Sequence, residues 1–316
     1  MKVIRDLDTF DEREPHAVTI GAYDGVHLGH RAVIDATRLI ASRLESKLAV
    51  VTFEPHPAQV LRPENAPLQL VDLEQKLELL ELAGVDTTVV VPFDEVCANE
   101  TPQEFARRVL VDVCQATAVV VGHDFHFGKG RAGNVDVLRR IGKDEGFEVE
   151  GLQLVPRPDG KDESVSSTSI RRALAGGEVR TAAALLGRFH EIRGSVVPGD
   201  QRGRTIGFPT ANVAVPAIMA LPADAVYAAI YVHPDGTRTP AAVNVGKRPT
   251  FYEDAEHSLL EAHLIDFSGD LYNQRGRVQF VELLRSERRF DGLEELKAQL
   301  QRDIHHARTI LNEIGL

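Results

Sequence analysis

The stretch AVTIGAYDGVHLGH, residues 17–30, decides the fold of the amino-terminal half of the chain. It begins as an apolar run typical of a buried strand, bends after a glycine, and enters a helical pattern near Gly29. Such a bend directs the first N–H groups of the helix and the positive end of its dipole outward. His27 and His30 lie at this helix start, where imidazoles can donate hydrogen bonds to phosphate oxygens. Without this strand–loop–helix placement, the pair would be interpreted as surface histidines in a polar turn.

Through about residue 186, short apolar runs alternate with amphipathic helical patterns. Further runs typical of buried parallel strands follow the first, at 47–53, 87–93 and 117–122. Helical patterns lie between the runs, at 29–45, 72–84 and 102–116. This alternation predicts an α/β doubly wound domain over residues 1–186, with ligands bound at the carboxyl ends of the strands.

After Gly187 the pattern changes to closely spaced segments rich in β-forming residues, at 190–197, 225–232 and 276–284. Turn sequences with Gly, Pro and Asp separate them, which predicts an antiparallel barrel or sandwich over residues 187–316. A closing helix follows, with Asp291 as its predicted N-cap. Its apolar stripe comprises Leu293, Leu296, Leu300 and Ile304.

Composition limits the class of protein. A chain of 316 residues exceeds what one hydrophobic core usually serves, so two domains are expected. The net charge of −11 argues against a nucleic-acid partner and against an acidic membrane surface. No apolar run is long enough to span a bilayer, and the start lacks the apolar core of a signal peptide. Cys97 and Cys114 fit no disulfide or metal framework, so buried thiols in a cytoplasmic protein are expected.

A second phosphate-binding signal lies in SVSSTSIRRALAGGEV, residues 164–179. Ser167 or Thr168 would cap a helix there, and Arg171 follows one turn later. Capping hydroxyls, helix N–H groups and an arginine fork together suit a polyphosphate. A plain capped helix without a ligand fits this segment equally well.

The strongest signal in the second half is GDQRGRTIGFPTANV, residues 199–213. Its glycines and arginines suit close approach of the backbone to phosphates, and the candidate phosphate ligands are Gly203, Arg204, Gly207 and Pro209. The side-chain oxygens of Thr210 and Asn212 could both meet one hard cation such as Mg²⁺. A β-turn loop with no ligand is the alternative interpretation.

The motifs of the first half resemble those of the nucleotidyltransferase superfamily of adenylyltransferases. Its HxGH motif is found at residues 27–30 and its SSTxIR motif at 166–171. The blocks VTFEPHP, VLRPENAPL and VGHDFHFGKGRAG are similar to the bacterial FAD synthetase branch and lie at 51–57, 60–68 and 121–133. The resemblance implies attack of a flavin phosphate on the α-phosphorus of ATP, with loss of pyrophosphate and no covalent enzyme intermediate.

The same resemblance implies roles for individual residues. His27 and His30 would be catalytic and would steady the triphosphate. The other ATP-binding residues would be Gly21, Asp24, Gly25, Gly29, Ser167, Thr168 and Arg171. The flavin cleft would be lined by Phe53, His56, Asp124 and Phe125. His56 lies between two prolines, so it could touch the flavin or only rigidify its loop.

The second half resembles the riboflavin kinase family, whose PTAN motif is intact at residues 209–212. The similarity continues through VNVGKRPTF, LLEAHLIDFSGDLY and VELLRSERRF, at 243–251, 259–272 and 281–290. It implies a six-stranded antiparallel β-barrel with a C-terminal helix. The family's catalytic carboxylate maps onto Glu261, which would accept the proton of a ribityl hydroxyl attacking the γ-phosphorus. Without this match, Glu261 would be interpreted as solvent-facing. Arg285 is a candidate substrate contact.

In order along the chain, these blocks resemble a bacterial bifunctional riboflavin kinase/FAD synthetase. The expected reactions are phosphorylation of riboflavin to FMN and adenylylation of FMN to FAD, with ATP as co-substrate and Mg²⁺ as cofactor. One alternative is a riboflavin kinase with a degenerate first module, against which the intact HxGH motif counts. Another is a flavin-binding sensor or carrier without turnover, against which Glu261 and the two histidines count. The sequence leaves a homo-oligomer open.

Overall fold

The computed structural model of the protein describes residues 1–7, 14–199, 202–246 and 257–316. For Arg202, Arg204 and residues 257–259 it describes the backbone only. The chain divides into two units, and each contains segments that are separate in sequence. The first unit comprises residues 1–67 and 72–166, and the second comprises residues 68–71 and 167–316.

The first unit is built on a parallel sheet. Its strands are β1 (Lys2–Ile4), β2 (His16–Ile20), β3 (Lys47–Glu54), β4 (Thr87–Pro92), β5 (Ala116–Gly122) and β6 (Glu148–Leu152). They are arranged in the order β1-β4-β3-β2-β5-β6, and every described pairing is parallel. The central strands are rich in valine and buried, as expected of strands covered on both faces.

Helices connect these strands: α1 (Leu28–Arg43), α2 (Pro57–Leu61), α3 (Leu73–Leu82), α4 (Glu95–Asn99), α5 (Pro102–Phe105) and α6 (Val135–Glu145). Helix α5 continues as a π-helix over Ala106–Val113, and short 3₁₀ turns occupy Pro63–Asn65 and Lys129–Arg131. Polar side chains cap the N-termini of α5 and α3. Thr101 and Glu104 form a capping box at α5, and the Asp72 carboxylate accepts from the Gln75 N–H at α3.

The predicted doubly wound domain is confirmed, and the four predicted strands correspond to β2, β3, β4 and β5. The two strands that were not predicted, β1 and β6, occupy the edges of the sheet. Strand β1 has three residues, and β6 reads EVEGL with charged positions. An edge strand that faces solvent needs no continuous apolar run, so neither segment carries the pattern of a buried strand.

The second unit contains a closed antiparallel barrel. Its strands are β7 (His190–Val197), β8 (Ala211–Pro216), β9 (Ala225–Val232), β10 (Arg238–Val245), β11 (His257–Leu264) and β12 (Arg275–Ser286). Their order around the barrel is β10-β11-β8-β7-β12-β9. The unit also has four helices within its described part, α7 (Ser167–Ala175), α8 (Val179–Leu186), α9 (Arg202–Thr205) and α10 (Leu293–Glu313). The predicted six-stranded barrel with a C-terminal helix is therefore confirmed.

The start of the closing helix α10 differs from the prediction. Gly292, and not Asp291, is its N-cap. The Glu295 carboxylate accepts from the backbone N–H of Asp291 at 3.0 Å, so a first-turn side chain reaches back to the residue that was expected to cap. The buried face also lies further along the helix than the predicted stripe, because Leu293 is 51% exposed while Ala307 and Leu311 are fully buried.

The division between the units falls before α7, whereas the sequence places the domain boundary after α8. Helix α8 packs on β7 and β12 within the second unit, and Leu185 and Leu186 are fully buried. In addition, the carbonyl of Leu174 in α7 accepts from the Ala223 N–H at 2.9 Å. The boundary at 186/187 as a division between two activities stays a prediction.

This packing predicts that the barrel needs its leading helices. A fragment of residues 167–316 is expected to be more stable than one of residues 187–316 by about 3 kcal/mol or more, because each fully buried leucine contributes about 1.5–3 kcal/mol. Urea unfolding followed by circular dichroism measures the difference. Equal free energies of unfolding would show that α7 and α8 are dispensable to the barrel.

The structure also shows the state of the two cysteines and the character of the helices. Cys97 and Cys114 are both free and buried, as predicted, and burial raises the pKa of the Cys97 thiol to about 11 and that of Cys114 to about 12. In the part of the chain that the structure describes, no helix combines the length and the apolar composition needed to cross a membrane.

Candidate active sites

The start of α1 brings the two predicted catalytic histidines into contact. His27 is the N-cap of the helix, and its Nδ1 accepts from the backbone N–H of His30 at 3.3 Å. The two imidazole rings stack with their centroids 3.6 Å apart. The ring of Tyr23 lies 4.8 Å from that of His30. Two imidazoles thus lie at the positive end of a helix dipole, an environment that favours an anionic ligand.

The loop between β2 and α1 has an unusual backbone. Tyr23, Gly25 and Val26 all have positive φ, at 49°, 89° and 40°. A β-branched residue such as Val26 rarely adopts this conformation, so the surrounding structure must hold it. Asp24 is only 3% exposed within this loop, and its contact with ATP stays a prediction.

Two glycines near the histidines leave no room for a side chain. A Cβ on Gly29 would lie 3.1 Å from the His27 ring and 3.2 Å from the carbonyl oxygen of Val165. A Cβ on Gly21 would lie 3.2 Å from the Tyr23 ring. Both contacts are tighter than side chains usually make, so glycine permits the close packing of the loop on the helix start.

Phe53 and Phe125, the aromatic residues predicted to line a flavin cleft, belong to one aromatic cluster. Phe53 lies 5.6 Å from Phe93 and 6.0 Å from Phe105, measured between ring centroids. Phe127 links Phe105 to Phe125, at 6.0 and 5.4 Å. Sequence reasoning missed Phe93, Phe105 and Phe127. The signal for Phe93 was available, because it directly follows β4, at the edge where parallel sheets bind ligands.

His56 and Asp124 have local contacts that order their loops. His56 is the N-cap of α2, and its Nδ1 accepts from the Ala58 N–H at 3.1 Å. The sequence left open whether His56 touches the flavin or rigidifies its loop, and this contact supports the second role. Asp124 is exposed after β5, and its carbonyl oxygen lies 2.8 Å from His126 Nδ1. A flavin contact by either residue stays a prediction.

The residues of the SSTxIR motif belong to the second unit. Helix α7 begins at Ser167, directly after Ser166. Four consecutive hydroxyl residues, at 166–169, leave the helix start ambiguous by one position in the sequence. The Nε of Arg171 donates to the Leu68 carbonyl at 2.5 Å, so this contact fixes the orientation of its guanidinium within the unit.

Strand register brings the predicted base and a predicted cation ligand together in the barrel. Glu261 in β11 pairs with Asn212 in β8 on one side and with Asn244 in β10 on the other. Directly paired residues project to the same face of a sheet, so these three side chains lie side by side. The adjacent Leu260 and Ala262 are fully buried on the opposite face. Asn244 was missed because pairing between distant strands is not visible in the sequence.

Asn212 carries an unsatisfied acceptor. It is 6% exposed, and its Oδ1 has no hydrogen-bond partner among the described residues. A buried acceptor left without a donor costs free energy unless a ligand completes it. Mg²⁺ takes hard oxygen ligands, so this oxygen and the exposed Thr210 hydroxyl fit the predicted cation. Within the described residues no group of three His, Cys, Asp or Glu side chains could hold a metal ion.

The predicted phosphate loop folds as the short helix α9 followed by a turn. The N–H of Phe208 donates to the Gly203 carbonyl at 2.8 Å, and a Cβ on Gly203 would lie 2.3 Å from the Phe208 oxygen. Gly207 has a φ of 92°, which favours glycine. His263 Nδ1 lies 2.7 Å from the Pro209 carbonyl, a contact that joins the PTAN motif to β11 and that the sequence did not reveal. The side chain of Arg204 lies outside the described residues.

Arg285 is engaged with the closing helix. Its Nε lies 2.9 and 3.1 Å from the two carboxylate oxygens of Asp303, and its Nη1 donates to the Ser286 carbonyl. Asp303 is 4% exposed, so the pair fastens α10 to β12. The structure thus gives Arg285 a structural partner, and its contact with substrate stays a prediction.

Comparison with known proteins agrees with both halves of the chain. The family model described as FAD synthetase matches residues 9–169, and the one described as riboflavin kinase matches residues 186–311. A protein of Bacillus subtilis named bifunctional riboflavin kinase/FMN adenylyltransferase is 36% identical, over 94% of this chain and 93% of its own length. The chain belongs to the bifunctional riboflavin kinase/FMN adenylyltransferase family. A member from Pseudomonas fluorescens is 39% identical, over 98% of both chains.

A solved structure extends the similarity to the whole fold. A Streptococcus pneumoniae protein described as a macrolide-efflux protein superposes with a TM-score of 0.87 at 29% identity. The superposition covers 98% of this chain and 99% of the other. The solved structure and this chain therefore share the order of an α/β unit followed by a barrel. The two family matches leave residues 170–185, most of α7 and α8, between them.

Proposed function

We propose that this protein makes flavin cofactors in two steps, phosphorylating riboflavin to FMN in the barrel and adenylylating FMN to FAD at the start of α1. ATP is the donor in both steps. The observation that carries the proposal is that two distinct arrangements suited to phosphate chemistry lie in two separate units of one chain. One is the stacked histidine pair at a helix N-terminus, and the other is Glu261 beside Asn212.

In the adenylylation step, FMN brings its own nucleophile. A phosphate monoester is largely ionised near neutral pH, so its oxygen attacks the α-phosphorus without a base. The negative charge that develops on the phosphate oxygens is stabilised by donors from His27 and His30. Ser167, Thr168 and Arg171 are proposed to bind the triphosphate, and the aromatic cluster around Phe53 and Phe125 to contact the flavin ring.

In the phosphorylation step, the nucleophile is a ribityl hydroxyl, which must lose a proton. The Glu261 carboxylate is proposed to accept that proton as the oxygen attacks the γ-phosphorus of ATP. Gly203, Gly207 and Pro209 are proposed to place the backbone close to the phosphates. His263 orients this segment through the Pro209 carbonyl.

Magnesium is proposed as the cofactor of this step. The Thr210 hydroxyl and Asn212 Oδ1 would hold the ion, which when bound supplies positive charge beside the phosphates of ATP. The unsatisfied Asn212 oxygen supports this assignment. Both ligands are uncharged oxygens, which fits a Mg²⁺ ion whose remaining ligands are water and the phosphate oxygens of ATP.

The test is to incubate the purified protein with riboflavin, ATP and magnesium and to separate the flavins by chromatography. The proposed function predicts that riboflavin disappears, FMN rises and falls, and FAD accumulates. A riboflavin kinase with an inactive first unit would stop at FMN. A sensor or carrier would leave riboflavin unchanged, and either outcome would overturn the two-step proposal.

Removing the metal is expected to abolish riboflavin phosphorylation. Excess EDTA should stop FMN formation, and adding back Mg²⁺ should restore it. Asn212→Ala removes one proposed ligand, so it should raise the Mg²⁺ concentration needed for half-maximal rate by about tenfold or more, the effect expected from losing about 1.4 kcal/mol of binding. Because the removed oxygen has no described protein partner, unfolding stability should change little. Undiminished FMN formation in EDTA would contradict the metal assignment.

We further propose that the protein acts in the cytoplasm on small-molecule substrates. The free, buried cysteines suit a reducing compartment. The net charge of −11 does not favour nucleic acid or an acidic membrane surface as a partner. Size-exclusion chromatography with light scattering would establish whether the protein forms a homo-oligomer, which stays open.

A further inference from the structure

Lys76, in the first turn of α3, is a buried cation that the proposed reactions do not use. It is 4% exposed. Among the described residues its one hydrogen bond is a long contact of 3.5 Å from Nζ to Thr52 Oγ1. A lysine near the positive end of a helix dipole is also unfavourable. Burying an ammonium group with so few partners is costly, and such groups concentrate at functional sites.

Lys76 is connected through Thr52 to the loop of residues 21–27, which has the strained backbone described above. Thr52 is fully buried at the carboxyl end of β3, and its hydroxyl donates to the carbonyl of Ala22 at 3.1 Å. Ala22 immediately precedes Tyr23, the first of the loop residues with positive φ. If Thr52 donates to Ala22, its oxygen accepts from Lys76, so the three groups form a continuous chain of hydrogen bonds.

Electrostatics link Lys76 to the same loop. Burial lowers the pKa of Lys76, and the negative charges of Glu54 and Asp24 oppose this effect. Asp24 is itself buried in the loop, where an uncompensated carboxylate would be costly. The ammonium of Lys76 is therefore attracted to a buried carboxylate of the loop.

The strained loop ends at His27, the N-cap of α1. Two further contacts lie within this loop and beside it: the Val26 N–H donates to Tyr23 O at 3.2 Å, and the Tyr23 hydroxyl lies 2.7 Å from Thr19 Oγ1. Backbone in such conformations persists only where the surroundings hold it. A change in the conformation of the loop would displace the imidazoles of His27 and His30. A displacement of about 1 Å can lower the rate of a catalysed step by about 10²-fold.

We propose that Lys76 is a positioning residue for adenylyl transfer, which holds the loop of residues 21–27 through Thr52 and thereby sets the placement of His27 and His30. It contacts neither substrate in this role. This proposal rests on the proposed function of the first unit, and it adds a residue that no motif of the sequence indicates.

The decisive variant is Lys76→Met, which keeps the length of the side chain and removes its charge. We expect kcat for FAD formation from FMN to fall by about 10–100-fold, with KM for FMN and ATP changed less than about threefold. Riboflavin phosphorylation should stay within about twofold of wild type. Because an apolar side chain replaces a buried charge, the melting temperature should be unchanged or higher. Lys143→Met, at an exposed position of α6, is the matched control and should behave as wild type.

A second set of variants tests the route through Thr52. Thr52→Val removes the hydroxyl with little change of shape, so it should lower kcat for FAD formation as Lys76→Met does, whereas Thr52→Ser should retain most of it. The double variant Lys76→Met/Thr52→Val should be no slower than the slower single variant by more than about twofold, because coupled groups are not additive.

Several outcomes would overturn the proposal. An unchanged kcat for FAD formation in Lys76→Met would remove the positioning role. A lower melting temperature with equal loss of both activities would leave Lys76 as a purely structural residue. Fully additive losses in the double variant would refute the route through Thr52. Wild-type protein that makes no FAD from FMN would overturn the proposed function itself, and this proposal with it, so the two failures are distinguishable.

Discussion

Replacing Glu261 with glutamine is expected to lower kcat for riboflavin phosphorylation by about 10²–10⁴-fold, the usual contribution of a general base. Glutamine keeps the shape and hydrogen-bonding capacity of the side chain but cannot accept the proton of the ribityl hydroxyl. Adenylylation of FMN should persist, because its phosphate nucleophile is already ionised and its proposed catalytic histidines lie in the other unit. The measurement supplies riboflavin or FMN separately with saturating MgATP and follows each product.

The position of Glu261 makes this test specific. Glu261 pairs with Asn212 and Asn244 across its neighbouring strands, and glutamine at this position preserves the backbone register on both sides. Glu294→Gln, at an exposed position of α10, is a control that removes one carboxylate without touching the site. A Glu261→Gln enzyme with unreduced FMN formation would exclude Glu261 as the base.

Much of the fold could be predicted because its determinants are local. The valine-rich runs of β3, β4 and β5 are buried on both faces, and burial of this kind needs an unbroken apolar sequence. By contrast, β1 takes only three residues and β6 contains two glutamates, so their positions depend on pairing with β4 and β5. The positions of such edge strands are determined by pairing with a neighbouring strand and not by the local sequence pattern.

The candidate sites divide in the same way. His27, His30 and Glu261 were predictable because each belongs to a motif of neighbouring residues or to a block that resembles a known family. Asn244 and His263 were not predictable, since their relevance arises from strand pairing and from a contact with Pro209. The same applies to Lys76. In the sequence it is an ordinary lysine of a helical segment, and its burial is evident only from the folded structure.

The stacked histidines also explain why one of them is the better target for mutation. His27 uses its Nδ1 to cap α1, so His27→Ala would remove a helix cap, at a cost of about 1 kcal/mol, together with any contact to substrate. His30 contributes its backbone N–H to that cap, and alanine retains the backbone N–H. His30→Ala therefore removes an imidazole while leaving the helix start intact.

His30→Ala is accordingly expected to lower FAD formation from FMN by about 10²–10³-fold, the usual cost of losing one donor to the charge of a transition state. Riboflavin phosphorylation should remain within about twofold of wild type, since Glu261 and Asn212 lie in the other unit. His305→Ala, at an exposed position of α10, is the control for a lost imidazole. The assay measures FAD from FMN and FMN from riboflavin in the same preparation, with the melting temperature as a check on folding. Equal loss of both activities in a folded His30→Ala protein would mean that the two reactions share one active site, because a residue of the first unit would then be needed for chemistry assigned to the second.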